Sequence, residues 1–358
     1  MKKAYWICLL LLGIKTNAQD SANRNIHFSG YAEVYYIKDF NRPVNHAMPS
    51  FMYSCNSAGE VALNLGYIKM NYSNGSTRAN LALATGTYMN ANLSAEPGVL
   101  KNIFEANAGI RLSNKADLWI DAGILPSHIG FESAVGKDCW NLTRSILADN
   151  SPYYETGARV SYNSPNGHWY LAALVLNGWQ RMHRPDGNTT PAFGTQVTWK
   201  PTGKITLNSS GFIGNDKPDS LRLMRYFHNF YAIVQLTENV AFTAGLDAGM
   251  EQRAKGGASM NTWYSPVLMA KINTSVRTSI AARAEYYSDK NGVIIATGTP
   301  GGFRTWGFSS NFDLALAGNA LCRVEARTFS SKDRIFTSDD NKPVAGNTFI
   351  STSLAISF

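Results

Sequence analysis

From Ser29 onward the chain alternates apolar and polar residues in runs of about ten, and the polar members are ionised too often for a soluble sheet. In 276–286, Val276, Thr278, Ile280, Ala282, Ala284 and Tyr286 share one face, and Arg277, Ser279, Arg283 and Glu285 share the other. Residues 240–250 set Val240, Phe242, Ala244, Leu246, Ala248 and Met250 against Thr243, Gly245, Asp247 and Gly249. In 321–328, Cys322, Val324 and Ala326 alternate with Arg323, Glu325 and Arg327. Glu33, Glu60, Arg78, Glu105, Arg111, Asp121 and Arg159 fall on the same polar face of other runs. A dry core holding so many ionised groups is prohibitive. The faces must be inverted, with charges lining water inside and apolar residues meeting lipid outside.

Composition agrees. Charged residues are 16% of the 358, against about 25% in soluble domains, while aromatics reach 12%. Thirty glycines suit strands and turns, and no stretch carries the one-sided apolar stripe of a long helix.

The alternation predicts sixteen strands, near 28–38, 58–71, 77–88, 102–112, 117–125, 156–163, 168–177, 192–200, 204–213, 222–236, 239–250, 260–272, 275–288, 303–315, 319–329 and 347–358. Every second connection is a tight turn, such as Ser73-Asn74-Gly75-Ser76 or Ser164-Pro165-Asn166-Gly167. The others are long, and the longest is 126–155. Short turns on one rim and long loops on the other mark a transmembrane antiparallel β-barrel, all-β in class. Sixteen strands is the size that leaves an aqueous channel. Aromatics near strand ends (Tyr35, Tyr36, Tyr67, Tyr88, Trp169, Tyr170, Trp199, Tyr286, Tyr287) are expected to form interfacial belts.

Lys2 and Lys3, the apolar run Trp6–Ile14 and then Thr16-Asn17-Ala18 have the layout of a cleaved signal peptide over residues 1–18, with a single barrel over 19–358. The terminal Phe358 is similar to the last aromatic residue that barrel-assembly machinery recognises. Cys55, Cys139 and Cys322 remain after cleavage; an odd number is no disulfide framework, although a Cys55–Cys139 bridge stays open.

The loop 126–155 is long enough to be functional. Within it, Trp140–Ala148 is expected to form a short helix, with Asn141 or Asp138 near its start. The runs Gly123-Ile124-Leu125-Pro126-Ser127-His128-Ile129-Gly130-Phe131-Glu132-Ser133 and Ser151-Pro152-Tyr153-Tyr154-Glu155-Thr156-Gly157 resemble the β-barrel porin-2 (OmpL-like) family. Leu176-Asn177-Gly178-Trp179-Gln180 and Phe28-Ser29-Gly30-Tyr31-Ala32-Glu33 extend the resemblance, which spans roughly 28–358 and is densest over 117–181. It implies an outer-membrane pore whose third long loop folds into the lumen. It assigns no solute and no functional residue beyond that loop.

The pore-lining candidates are Arg78, Arg111, Asp121, Arg159, Asp247, Arg277, Arg283, Glu285, Arg323, Glu325 and Arg327, with Lys200 and Glu105 in the same orientation. Opposed basic and acidic ladders set up a transverse field that sorts polar solutes. The competing reading is that they only brace the wall as ion pairs. The constriction candidates are His128, Phe131, Glu132, Asp138, Arg144, Tyr153 and Tyr154. His128 beside Ser127 and near Glu132 admits a hydrolase reading, but Ser127 lacks the strained elbow of a nucleophile. Asp333, Asp339 and Asp340 could attract a divalent cation but read better as a solvated loop. No cofactor, metal or nucleic-acid signature is present.

The expectation is therefore an outer-membrane porin that passes small hydrophilic solutes by diffusion. Its partners are outer-membrane lipid and lipopolysaccharide, and homo-oligomerisation stays open. The rivals are a structural or adhesive barrel with a closed lumen and, behind it, a barrel enzyme acting on lipid.

Overall fold

Acyl chains cannot hydrogen-bond a peptide group, so a sheet in a bilayer has to leave no edge. A computed structural model describes residues 25–358; the expected signal peptide lies outside the described residues. Sixteen antiparallel strands close into one barrel. They are β1 (Ile26–Asp39), β2 (Val61–Ser73), β3 (Thr77–Thr85), β4 (Ile103–Arg111), β5 (Asp117–Pro126), β6 (Tyr154–Asn163), β7 (Trp169–Leu176) and β8 (Ala192–Thr202). They continue with β9 (Ile205–Asn215), β10 (Met224–Gln235), β11 (Val240–Gln252), β12 (Met260–Asn273), β13 (Thr278–Asp289), β14 (Phe303–Ala317), β15 (Ala320–Ser331) and a closing strand, Gly346–Ser357. At the seam Gly30 N–H donates to the Phe358 carbonyl at 2.7 Å and Phe358 N–H to the Gly30 carbonyl at 3.0 Å.

All sixteen expected strands are present, mostly within two or three residues of their expected ends. The outward face is apolar: Ile68, Leu83, Ile110, Leu268 and Phe308 are each about half exposed or more. Glu33, Asp121, Asp247, Arg283, Glu285, Arg323 and Glu325 all point inward and are buried. No helix among the described residues is long and apolar enough to cross a membrane; the strands do the crossing.

Three local expectations fail. β3 stops at Thr85 because Gly86 turns the chain at φ 127°, and helix α1 (Thr87–Asn92) follows, so Tyr88 is a loop residue packed inside the barrel. The aromatic belt is half the size expected. Tyr35, Tyr67, Tyr88 and Tyr287 face the interior, where they pack in the buried clusters. The outward belts are instead Trp169 stacked on Trp199 at the turn rim, and the run Tyr264, Tyr286, Trp306 and Phe308 at the loop rim. Finally, Arg277 precedes β13 and sits exposed in the turn after β12, so it is not on the lumen wall.

β5 passes closest to its neighbours at Gly123, which pairs with Gly157 of β6 and Asn107 of β4. Its φ is +129°, and a Cβ there would lie 2.3 Å from the Ala106 carbonyl oxygen. Gly123→Val therefore adds backbone strain of about 1–3 kcal/mol to a direct clash. We expect this variant to lose the heat-modifiable gel mobility of a closed barrel; retained mobility would show that β4 and β5 can separate without opening the sheet.

Candidate functional site

The loop 127–153 is too apolar for water. Ile129, Val135, Leu142, Ile146 and Leu147 are all buried, and the loop folds into the barrel to achieve this. It enters through His128, whose Nδ1 bonds the Glu155 carboxylate at 2.8 Å and whose Nε2 bonds the Gly211 carbonyl at 2.9 Å. Phe131 then packs on Tyr231 of β10, with ring centroids 5.5 Å apart.

The loop is organised around Arg144, which is fully buried and donates to the carbonyls of Ser133 (2.6 Å), Leu142 (2.8 Å) and Ala134 (3.3 Å). Arg144 is thus internal to the loop and does not line the lumen. Beyond a 3-10 turn at Gly136–Asp138, only Ile146–Asp149 is helical, capped by the Ser145 hydroxyl, which accepts from Ala148 N–H at 3.1 Å. The expected helix from Trp140 does not form because other acceptors take the donors of its first hydrogen-bonded turn. Arg144 N–H goes to the Ser54 hydroxyl, Ser145 N–H to Glu132 (3.0 Å) and Ile146 N–H to Glu285 (2.6 Å), while the donors ahead of them, on Leu142 and Thr143, go to Asn311 and Glu325 (2.7 Å). Carboxylate acceptors outcompete the i−4 carbonyls of an incipient turn.

The wall that holds the loop is the basic patch of β13–β15. Arg283 donates to Glu325 at 3.1 Å and to the Thr143 carbonyl at 2.8 Å. Arg327 donates to Glu285 at 2.5 Å and to the Arg144 carbonyl at 2.8 Å. Arg323 pairs with Asp313 at 2.7 Å and reaches the carbonyls of Gly136 and Cys139. These five residues (Arg283, Glu285, Arg323, Glu325, Arg327) were expected to line open water. They face inward, but the loop seals them, and each is at most 2% exposed. Arginine and carboxylate close-packed in this way brace two surfaces together and set up no field in water. Asp247 is buried too, against Asn229 at 2.6 Å.

On the opposite side of the lumen the loop stands off the wall. A cavity of about 480 Å³ lies between Phe131, Glu132, Asp138 and Tyr153 of the loop, Tyr154 at the start of β6, and the inner faces of β2, β4 and β10. Tyr67 and Phe104 line it as stacked rings 5.5 Å apart, and the buried Tyr31 stacks behind Tyr67 at 5.7 Å. Lys69 pairs with Glu105 at its edge. Turnward of these rings the wall carries amides: Asn71 donates to Asn80, Asn80 to Asn107 at 2.8 Å, and Asn107 to Glu105 at 3.0 Å. Arg78 and Arg159 share Asp121, with closest contacts of 2.5 and 3.5 Å, and both keep partly exposed side chains. Arg111 ends β4, exposed near the turn rim.

The cavity stops loopward at a seam where Tyr154 O–H donates to Glu96 at 3.0 Å and Met182 N–H to the same carboxylate at 2.8 Å. Beyond it, a vestibule of about 270 Å³ is bounded by Tyr154, Asp149 and Trp179, among others. Burial pushes the Asp149 carboxyl up to about 7, against the pull of Arg144 and Arg327.

Of the constriction candidates, Phe131, Glu132, Asp138, Tyr153 and Tyr154 border the cavity, whereas His128 and Arg144 are buried away from it. Asn71, Asn80 and Asn107 were legible from alternation but passed over as uncharged. Phe104 had no alternation signal, because a bulge at Ala82/Leu83 shifts the β3–β4 register at that point.

Ser127 and His128 do not form a nucleophile–base pair. The Ser127 hydroxyl accepts from Ile129 N–H at 3.1 Å, and both His128 nitrogens are committed to Glu155 and Gly211. Cys55 and Cys139 are not bridged; both thiols are free and buried. Asp333 accepts from Gly301 N–H while Asp340 engages Ser338 and Lys342, so the three late-loop carboxylates do not converge.

Glu325→Ala takes one of three carboxylate partners from Arg283 and strands the two Thr143 donors in a buried site, a loss of about 1–3 kcal/mol for each donor. We expect a lower denaturation midpoint and new protease cleavage within 127–153. At His128, burial pulls the pKa down, but the Glu155 carboxylate and the bonds to Glu155 and Gly211 raise it more, so it stands above 6.5. That tie is therefore fully present below pH 6.5 and is lost as pH rises through the higher folded value. His128→Gln should flatten this limb of the stability–pH curve; an unchanged curve would show that the tie carries no proton.

The sequence profile of the family described as "Putative beta-barrel porin-2, OmpL-like" matches residues 25–358. No curated protein matches. Among solved structures the chain is similar to the trimer form of in-vitro folded OmpT, an outer membrane protein of Vibrio cholerae. The TM-score is 0.60 at 9% identity, over 93% of this chain and 99% of that one. It is also similar to an anion-selective porin from Comamonas acidovorans (TM-score 0.59, 10% identity, 93% and 99%) and to Pseudomonas putida OprB (0.59, 10%, 93% and 94%). At these identities the structural likenesses show the fold. The family rests on the profile, which runs the whole described length, so the chain belongs to the β-barrel porin-2, OmpL-like family of outer-membrane porins.

Proposed function

We propose that the barrel lets small hydrophilic solutes diffuse across the outer membrane along the side of the lumen bounded by β2–β6 and β10. The observation that carries this is the asymmetry of the lumen. The loop is clamped by hydrogen bonds to the buried ion pairs of β13–β15, and it leaves a cavity of about 480 Å³ against β2, β4 and β10. Its apolar outer face suits outer-membrane lipid and lipopolysaccharide as surroundings. Turnward of the cavity two arginines, Arg78 and Arg159, share one carboxylate, Asp121, so that stretch keeps one positive charge in excess, while the cavity itself carries Lys69 against Glu105, Glu132 and Asp138. Any anion preference is therefore mild. One similar porin is described as anion-selective and another in a trimer form, which is consistent with an anion preference and a homo-oligomer here. The committed nitrogens of His128 favour a channel over an enzyme.

A second reading, a structural barrel with a closed lumen, draws on the seam at Tyr154 and Glu96, which separates cavity from vestibule. Planar bilayers decide between them. The porin reading predicts single-channel steps, wider after deletion of residues 134–148 and more frequent in Tyr154→Ala. Under a salt gradient the reversal potential should be small and of anion-preferring sign, and smaller in Arg159→Gln. A bilayer that stays silent for both the native chain and the deletion would falsify the porin reading and leave the closed barrel.

A further inference from the structure

Two aromatic pairs line the cavity between the loop and the wall. Tyr67 and Phe104 come from β2 and β4, Phe131 and Tyr231 from the loop and β10, and the centroids of each pair are 5.5 Å apart. Phe104 reaches Tyr67 because β3, the strand between them, presents only Ala84 at that level. Tyr67 has a ring on either side, whereas Phe104 ends the stack and is only partly buried. Four ionised groups share this lining: Lys69, Glu105, Glu132 and Asp138. Lys69 and Glu105 cancel as an ion pair. Glu132 is nine-tenths buried; its Oε2 accepts from the Ser145 N–H and hydroxyl, but its Oε1 accepts no hydrogen bond and has Arg283 no nearer than 3.8 Å. Asp138 is exposed to the lumen and has no hydrogen-bond or ion-pair partner among the described residues. The Tyr67 hydroxyl lies in the field of Asp138 and Glu105 together. Ring faces therefore stand beside negative charge that nothing in the wall cancels.

Each class of solute demands something different from such a lining. An anion needs an unpaired cation, and Lys69 is taken. A divalent metal needs several convergent oxygens, and no such cluster exists among the described residues. Saccharide hydroxyls need donors and acceptors side by side, and no Asn, Gln or Arg side chain lines this cavity. A neutral apolar body suits the rings but strips water from the Asp138 carboxylate and gives it no partner. An organic ammonium uses everything present: its apolar body packs on the rings, and its charge meets the negative ring face and Asp138.

We infer that this cavity is a binding subsite for an organic cation, an ammonium carried on an apolar body, with Phe104 as the ring it packs on and Asp138 as its counter-charge. A volume of about 480 Å³ lies within the range of small-molecule sites. The inference rests on the porin reading for its place in a path, but not for its chemistry. Small inorganic ions sample the whole path, where Arg78 and Arg159 offset the cavity. An amphiphilic ammonium is selected by the cavity itself.

The test is current block in planar bilayers by three probes that share one phenyl ring, phenethylammonium, phenethyl alcohol and phenylacetate, with maltose as a fourth. The native channel should show concentration-dependent block by phenethylammonium, stronger than by any of the others. Phe104→Ala should weaken that block about fivefold, the size of one lost cation–ring contact, and Phe104→Tyr should restore it. Asp138→Asn should weaken it about threefold, as for one exposed ion pair, and bring ammonium and alcohol closer together. Heat-modifiable mobility shows that each variant is folded. Equal block of the native channel by ammonium and alcohol overturns the inference in favour of an apolar site. Block by maltose or phenylacetate but not by the ammonium overturns it in favour of a sugar or an anion. A conducting channel that no probe blocks, or whose block both variants leave unchanged, overturns it and leaves the porin intact. A silent bilayer overturns the porin reading instead. In that case saturation-transfer NMR of phenethylammonium with the detergent-folded barrel decides the subsite: transfer weakened by Phe104→Ala and by Asp138→Asn supports it, and absent or unchanged transfer refutes it.

Discussion

The need to satisfy every backbone N–H in hydrocarbon governs this molecule. It forces the last strand onto the first, where Gly30 and Phe358 exchange two hydrogen bonds. Closure in turn makes an interior, and the interior inherits whichever face of the alternation lipid rejects. Arg283, Arg323 and Glu325 therefore point inward for the same reason that Leu268, Phe308 and Ile350 point outward. Strand pairing needs no help from the side chains it displays, which leaves the inner face free to be specialised sector by sector.

That specialisation is the main result. Sixteen strands enclose more room than side chains fill, and the chain spends the surplus on the loop 127–153. One sector, β13–β15, is ionised on both sides of the contact, and the loop's own backbone completes the coordination of its arginines through Thr143, Arg144, Gly136 and Cys139. Burying unpaired charge is costly, so the sector cannot exist without the loop and the loop cannot leave it cheaply. The facing sector, β2–β4, has amides and rings that are satisfied within the wall and need nothing from the loop. The passage runs where the wall is self-sufficient.

How far these arrangements were legible in the sequence follows from what alternation encodes. It records which way a side chain points, and for the sixteen strands it did so to within a few residues. It says nothing about what stands opposite. Arg283, Arg323 and Arg327 point inward as the alternation requires, but their burial depends on Gly136, Cys139, Thr143 and Arg144, about 140 to 187 residues away in sequence. Arg277 was misplaced because one extra turn residue pair moves a strand start without disturbing its period. The helix over Trp140–Ala148 is shorter than expected because propensity cannot anticipate Glu132 and Glu285 taking the donors of Ser145 and Ile146. Phe104 was invisible for a different reason: a bulge breaks the period at the point where the ring is turned inward.

The aromatic residues carry the same lesson into function. Trp169 and Trp199 and the Tyr264–Phe308 run stack on the outside, where amphipathic rings sit at a lipid–water boundary. Tyr31, Tyr67 and Phe104 stack on the inside, where no lipid reaches them. β-Propensity explains neither ladder's position, since it is indifferent to face. An interior aromatic strip beside water costs exposed apolar area that a Ser or Asn would avoid, and the neighbouring amide chain shows that this wall can be built without rings. Tyr31 and Tyr67 partly recover the cost by packing with Leu65, Ala84 and Leu93. Phe104 lies at the end of that cluster and is only partly buried there. A ring turned inward at a break in the ladder, and left partly uncovered over a cavity, is placed for contact with whatever occupies the lumen.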